Sequence, residues 1–191
     1  MGEPGFPSVW PIIETARLRL RPPSLDDAQG VQRFCNDPEV SRNAETIPLP
    51  YTVEHATEWI GLVLEEFEKG VGVGMLIEER ASGEVIGDSC LKYDATHGRA
   101  EVGFVLGRDY RGNGYATEAA RAMIGLAFGT LGVRKVMAVA FADNLASRRV
   151  LERCGMTLEA SLRGHSMREG EPADDVMYGL LRREYDGGIR Q

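Results

Sequence analysis

The sequence predicts an α/β fold, and three observations predict it. Amphipathic helical stretches alternate along the chain with short apolar or alternating stretches. After Gly114, the residues Ala116, Ala119, Ala120, Met123, Ile124, Ala127, Phe128 and Leu131 fall at i, i+3, i+4, i+7, i+8, i+11, i+12 and i+15. That is one apolar stripe over four helical turns. Close behind it, residues 136–141 form a continuous apolar run, short enough to be a strand buried on both faces.

The elements follow in order. Residues 1–11 hold three prolines and two glycines and predict an irregular arm. Residues 17–21 alternate Arg and Leu, the pattern of a half-buried strand, and Pro22-Pro23 ends it. Ser24 is a good N-cap with Asp27 three residues on, so a helix over about 25–35 is expected. Asn36-Asp37-Pro38 stops it, and residues 41–51, with Pro48 and Pro50, predict a loop. Thr52 caps a second helix, with Val53, Ala56, Ile60, Val63, Leu64 and Phe67 at helical spacing, and Gly70 closes it. Strands over 74–79 and 85–93 flank a Ser82-Gly83 hairpin turn, and a third covers 99–106. Gly132 terminates the long helix, and Asn144 caps a short one that runs to Arg153, with Gly155 just beyond. Strands over 156–162 and 175–182 finish the chain. The expectation is about six to seven strands and about four helices in one domain, 1–191, with a C-terminal tail over 186–191.

The chain has 191 residues, long enough to bury roughly 70% of its unfolded surface without a disulfide or metal staple. Its 22 basic and 29 acidic residues give a net charge of −7. That argues against a nucleic-acid partner, which needs a basic face, and against an anionic membrane surface. It suits a cationic partner such as an amine, and it also serves solubility. Cys35, Cys90 and Cys154 are dispersed and form no CxxC pair, which fits a reducing, cytoplasmic setting and excludes a structural zinc site. His55, His97 and His165 do not cluster, so no metal is expected. The N-terminus has no basic region followed by an apolar run, so no signal peptide is expected, and no apolar run approaches the ~18 residues of a membrane-spanning helix.

The strongest local signal is Val105-Leu106-Gly107-Arg108-Asp109-Tyr110-Arg111-Gly112-Asn113-Gly114-Tyr115-Ala116. A strand runs into a glycine turn and then directly into a long helix. Glycines allow close backbone approach and positive φ, and the helix N-terminus offers free N–H groups, so the turn suits phosphates. Arg111 adds a full charge there. A Walker A loop fails because Asn113 stands where lysine must be, and a dinucleotide fingerprint fails at Thr117.

Arg111-x-x-Gly114-x-Ala116 matches the family motif of Gln or Arg, two residues, Gly, one residue, then Gly or Ala, and resembles the GNAT N-acetyltransferases. Asn144-Leu145-Ala146-Ser147 through Gly155-Met156 resembles that family's second motif, with Met156 where an aromatic is usual. Thr15 through Arg21 and Asp174 through Leu181 look like its RimJ/RimL branch. The resemblance implies a single-domain fold with a mixed central sheet splayed between two strands, and acetyl-CoA in the gap as co-substrate. It implies that Phe104, Val105 and Leu106 meet the pantetheine arm. Arg111, Gly112, Asn113, Gly114, Tyr115, Ala116 and Thr117 would hold the pyrophosphate, and Asn144 and Ser147 would point toward the pantetheine and the thioester sulfur.

Acetyl transfer needs a neutral amine, an N–H donor for the tetrahedral oxygen and a partner for the departing thiolate. Glu101, which begins the strand carrying Phe104, is the candidate base, and Val105 is the expected N–H donor. Ser147 and Tyr178 are candidates for the thiolate partner. Tyr178, between apolar neighbours, also suits plain core packing. His165 is an alternative base. The expected reaction is direct transfer to a primary amine, on a protein N-terminus or a small molecule. The alternative is a non-catalytic acyl-CoA sensor or structural module. A homodimer is allowed. Residues 36–55 and 162–174 are the segments expected to select the acceptor.

Overall fold

The computed structural model describes residues 5–44 and 46–188. The alternating stretch forms β2 (Leu18–Arg21), which pairs with a two-residue strand, β1 (Ile13–Glu14). Asp27 accepts the Ser24 N–H at 2.8 Å, and one 3-10 turn leads into α1 (Ala28–Cys35). Asn36-Asp37-Pro38 ends α1 as expected but also starts α2 (Pro38–Asn43). Asp37 accepts the Glu39 N–H at 2.9 Å, and proline at the first helical position has no hydrogen bond to lose. The capping residue thus lay inside the apparent stop signal. Thr52 caps α3 (Val53–Glu68) by accepting the His55 N–H at 3.3 Å.

Next come β3 (Gly72–Glu79), β4 (Val85–Asp94), β5 (Arg99–Leu106), α4 (Tyr115–Gly129), β6 (Lys135–Phe141) and α5 (Leu145–Arg153). Asn144 caps α5, accepting the Ser147 N–H at 3.1 Å. The chain then forms β7 (Thr157–Arg168), β8 (Glu171–Leu181) and α6 (Arg182–Gly188). The final hairpin is longer than expected. Its turn is Glu169-Gly170, with φ of 53° and 85°, the positive pair of a two-residue hairpin turn. Most of the expected 162–174 loop is therefore ladder.

Eight strands lie in the order β1-β2-β3-β4-β5-β6-β8-β7. The one strand beyond the expected range is β1, too short to leave a periodic signal. The two helices beyond the expected four are α2 and α6; the latter takes residues 182–188, where a strand end and a tail were expected. Of the predicted arm, residues 5–11 are irregular and residues 1–4 lie outside the described residues, as do tail residues 189–191. Among the described residues no helix is long and apolar enough to cross a membrane.

Every ladder is antiparallel except β5 with β6. That parallel pairing covers only Arg99–Glu101 against Lys135–Met137, after which the two strands part. Each face of the sheet has its own core. Ala119, Met123 and Ala127 of α4 pack with Val102 and Val136 on one face, while Val31, Phe34, Ala56 and Ile60 of α1 and α3 pack with Leu76 on the other. Phe104 packs toward the first core and Val105 toward the second, as strand alternation requires.

Candidate active site

The parting of β5 from β6 leaves backbone groups of β5 without a ladder partner, and peptide geometry identifies them. In a trans peptide the C=O and the next N–H point opposite ways. The Gly103 carbonyl accepts the Ser89 hydroxyl of β4 at 2.8 Å, so the Phe104 N–H points to the gap. The Val105 carbonyl crowds β4 so closely that a Cβ on Gly87 would stand 2.2 Å from its oxygen. The Leu106 N–H therefore also points to the gap. The Gly107 N–H returns to β4, donating to Ile86 at 2.9 Å. Alternation leaves the Val105 N–H on the β4 side, opposite Asp88. The expected donor is thus corrected: Phe104 and Leu106 face the gap, not Val105.

The gap opens into a cleft of about 370 Å³. One wall is Phe104, Val105 and Leu106; the floor is Arg111, Gly112, Gly114, Tyr115, Ala116 and Thr117 at the α4 N-terminus. The opposite wall is α5 with Asn144, Ala146, Ser147, Arg149, Val150 and Arg153, and Glu39, Val40, Asn43 and Ala44 close one side. Gly112 and Gly114 adopt φ of 78° and 82°, and a Cβ on Gly112 would meet nothing within 4 Å. Two positive-φ residues before a helix turn its free N–H groups toward the cleft.

Several expected residues take more specific places. Asn113 does not line the cleft; its side chain donates to the Arg111 carbonyl at 3.2 Å, and its own carbonyl receives Arg17 at 2.8 Å. Arg17 also donates to Glu118 at 2.7 Å and stacks over the Tyr115 ring at 4.4 Å, so it braces the turn from behind. The Arg111 guanidinium is already engaged, donating to Asp37 at 2.8 Å, Glu39 at 2.7 Å and the Leu106 carbonyl at 3.1 Å. Asn144 spends its carbonyl oxygen on the α5 cap. The Ser147 hydroxyl makes no hydrogen bond among the described residues.

Glu101 sits where the parallel pairing ends, on the face of the sheet turned to α1 and α3, across the ladder from Lys92. Tyr178 is 1% exposed; its hydroxyl donates to Glu152 at 2.9 Å and accepts from Arg148 at 3.3 Å. It packs in the first core and is not part of the cleft wall. His165 is exposed on β7. Cys154 packs beside α4, its sulfur 3.8 Å from the Thr117 carbonyl, and burial pushes its thiol up to about 11. Hydrogen bonding to Glu79 at 2.5 Å raises the Tyr115 phenol above its ordinary value.

Thr117 carries the sharpest sign of an absent ligand. It lines the cleft in the first turn of α4, it is 8% exposed, and its buried hydroxyl has no partner. A phosphate oxygen at a helix N-terminus would supply one. Sequence reasoning missed Arg149 and Arg153. Their signal was present: Ala146, Arg149, Val150 and Arg153 fall at i, i+3, i+4 and i+7 on one helical face. Among the described residues no group of three or more His, Cys, Asp or Glu is arranged to hold a metal ion.

Comparison with known proteins follows the same lines. Residues 17–157 match the family model described as an acetyltransferase (GNAT) domain. The N-acetyltransferase p20 of Bacillus licheniformis is 32% identical, over 92% of this chain and 98% of that protein. The FsC-acetyl coenzyme A-N(2)-transacetylase of Aspergillus fumigatus is 29% identical, over 92% of this chain and 78% of its own. Among solved structures, the RimL ribosomal L7/L12 alpha-N-protein acetyltransferase in complex with coenzyme A superposes with a TM-score of 0.83 at 18% identity, over 90% of this chain and 98% of that one.

Proposed function

This chain belongs to the GNAT acetyltransferase family, and on that premise we propose that it moves the acetyl group of acetyl-CoA onto a primary amine by direct attack in a ternary complex. The observation that carries the reading is the pair of gap-facing N–H groups, Phe104 and Leu106, leading to a glycine turn at the α4 N-terminus. Acetyl-CoA supplies the acetyl group as a thioester, already activated toward an amine. The residues present fit it. Thr117 has an unmet hydroxyl, Gly112 and Gly114 leave the backbone bare, and Arg149 and Arg153 bring positive charge to the same cleft.

Each part has a chemical task. Gly112, Gly114, Tyr115, Ala116 and Thr117 hold the pyrophosphate through N–H groups and the Thr117 hydroxyl. The Phe104 and Leu106 N–H groups are donors for the pantetheine amide and for the oxygen that becomes anionic when the amine adds. The Ser147 hydroxyl, free to rotate, hydrogen-bonds the departing sulfur. Asn144 keeps its amide N–H₂ for the pantetheine while its oxygen caps α5. Arg111 shapes the mouth through Asp37 and Glu39 rather than carrying free charge to the phosphates. Asn113 serves the turn from behind. Tyr178 supports α5 through Glu152 and Arg148.

The amine reaches the thioester from the α1/α3 face, the side opposite α4. It arrives protonated, and freeing an α-amino group of pKa ~8 at pH 7 costs about 1.4 kcal/mol, against about 4.6 for a lysine-like amine of pKa ~10.4. A carboxylate on that face lowers the cost; Glu101, expected from the sequence to be that group, lies on the face but stands back where β5 and β6 are still paired. The relatives' names include an alpha-N-protein acetyltransferase and an acetyl coenzyme A-N(2)-transacetylase. They support the amine class. The test is free thiol release from acetyl-CoA across a panel of amines: release that depends on the amine supports transfer, and binding without release supports a sensor.

A further inference from the structure

Among the described residues three carboxylates are buried: Asp37, Asp88 and Asp175. Two have partners. Asp37 receives Arg111, Arg108 and a backbone N–H, and Asp175 receives the Ser166 hydroxyl. Asp88, 9% exposed, receives no hydrogen bond from any described residue. Its oxygens are not among the fully buried atoms that lack a partner, so this largely desolvated carboxylate keeps a solvent contact through which a cation could approach.

Its position is informative. Asp88 stands on β4 directly across the ladder from Val105, and residues paired across a ladder share a face. Val105 packs toward α1 and α3, so Asp88 lies on that same face, the one proposed above for the amine's approach. It is one strand spacing, about 4.8 Å, from the strand that carries Phe104 and Leu106. Gly87, beside it, admits the Val105 carbonyl so closely that β4 and β5 are pressed together at this point. Glu101, four residues before Val105, stands farther back, where β5 and β6 are still paired.

We propose that Asp88 is the residue that binds the acceptor's ammonium group and takes its proton. The assignment rests on the acetyltransferase reading above. The Asp88 carboxylate removes one proton from the ammonium, giving a neutral amine and a neutral carboxyl. The amine nitrogen attacks the thioester carbonyl carbon, forming the C–N bond. The C–S bond breaks, and the nitrogen's second proton goes to the departing sulfur, giving the amide and free CoA thiol. Asp88 returns its proton to solvent, so the cycle releases one proton in all.

The groups around Asp88 are compatible with this role. Cys35 from α1, Tyr51 ahead of α3, and Cys90 on β4 all feel its charge, and each is held neutral, its own ionisation pushed up chiefly by burial. Glu58 acts on Tyr51, and Glu66 and Lys92 act on Cys90, one step removed. No cation among the described residues pairs with Asp88, which leaves that position for the substrate. Burial pushes its carboxyl up to about 7, where a base both holds and releases a proton near neutral pH.

The test compares Asp88→Asn with Glu101→Gln. Thiol release is followed with saturating acetyl-CoA and two amines, an alanyl peptide with a free N-terminus and 1,4-diaminobutane, and acetyl-CoA affinity is measured by calorimetry. Asp88→Asn is expected to keep that affinity within about twofold, which certifies the fold and the cleft. Its kcat/KM for the better amine is expected to fall by ~10²-fold or more, and the acid limb of the wild-type pH profile is expected to disappear. Glu101→Gln is expected to stay within about threefold and keep the limb. An Asp88→Asn protein within threefold of wild type with the limb unchanged overturns the assignment. So does an equal collapse of rate in Glu101→Gln with loss of the limb. Absence of amine-dependent release from the wild type overturns the acetyltransferase reading, and the assignment with it.

Discussion

Arg111 donates to Asp37 at 2.8 Å, and this contact fastens α2 to the turn that precedes α4. Arg108 reaches the other oxygen of the same carboxylate at 3.1 Å. Two residues far apart in sequence thereby set one side of the cleft. Asp37 also caps α2, so a single side chain both starts the helix and anchors it.

The first prediction concerns this clasp in acid. Burial alone would raise the Asp37 carboxyl, but the Glu39 N–H, Arg108 and Arg111 outweigh it and hold it below the usual carboxylate range. A depressed folded value means the stabilisation is present above the ordinary carboxylate pKa and is lost as pH falls through the folded one. Asp37→Ala is expected to cost about 1–2 kcal/mol from the lost cap alone. Thermal unfolding from pH 7 to pH 3 checks it: the variant's deficit should shrink at the acid end, and a constant deficit counts against the clasp.

Asp88 carries the opposite signature. Its folded value is raised to about 7, so its contribution is fully present below the ordinary carboxylate pKa and is lost as pH rises through the folded one. Asp88→Asn is expected to gain Tm relative to wild type as pH climbs from 4 to 8. Parallel Tm curves for the two proteins would mean that Asp88 ionises normally.

Thr117→Val separates stability from binding. The hydroxyl is buried without a partner, so replacing it with a methyl of similar shape is expected to leave the protein as stable or more so. Acetyl-CoA should bind about tenfold more weakly, since a hydrogen bond to a charged phosphate contributes roughly 1.5–3 kcal/mol. Calorimetry beside a melting curve checks both signs, and unchanged affinity would remove Thr117 from the phosphate site.

Two glycines make a matched pair. Gly87→Ala would set a Cβ 2.2 Å from the Val105 carbonyl oxygen and 2.8 Å from Leu106 Cδ2, forcing β4 and β5 apart beside the gap. It should lower both stability and acetyl-CoA affinity. Gly61→Ala, in α3 with nothing within 4 Å of the new Cβ, should stabilise by about 0.5–1 kcal/mol. Equal effects of the two would show that the close approach at Gly87 relaxes freely.

Much of this was legible in the sequence. Helical stripes found α1, α3, α4 and α5, because each buries one face, and Thr52 and Asn144 cap α3 and α5 through local partners. The glycine turn was legible because positive φ and a following helix leave a chemical pattern. What escaped depends on distant contacts or on hidden signals. Pro38 reads as a stop, yet Asp37 before it makes it a start. Glu169-Gly170 is a hairpin turn in a polar stretch without clean alternation. Arg17 and Asp88 take their places beside partners 96 and 17 residues away, Asn113 and Val105, which no local pattern displays. The choice of Phe104 and Leu106 over Val105 turns on which way single peptide planes face, and side-chain alternation is silent on that.

Charge gives a further expectation. With a net charge of −7, and with Asp88 proposed to receive the ammonium group, encounter with a protonated amine should be assisted, and kcat/KM should fall as salt rises toward about 0.5 M. Acetyl-CoA is kept saturating so that its own binding does not enter. A flat or rising profile would mean that the net charge serves solubility alone.

The most direct test of the account is the rate of free CoA thiol release from acetyl-CoA with and without a primary amine, alongside mass detection of the acylated amine. Steady release that requires the amine, with one acetylated product per thiol, is the expected result. Tight binding of acetyl-CoA with no amine-dependent release and no acetylated product from any amine tested would contradict it, and would make the cleft that of a CoA-binding module without catalysis.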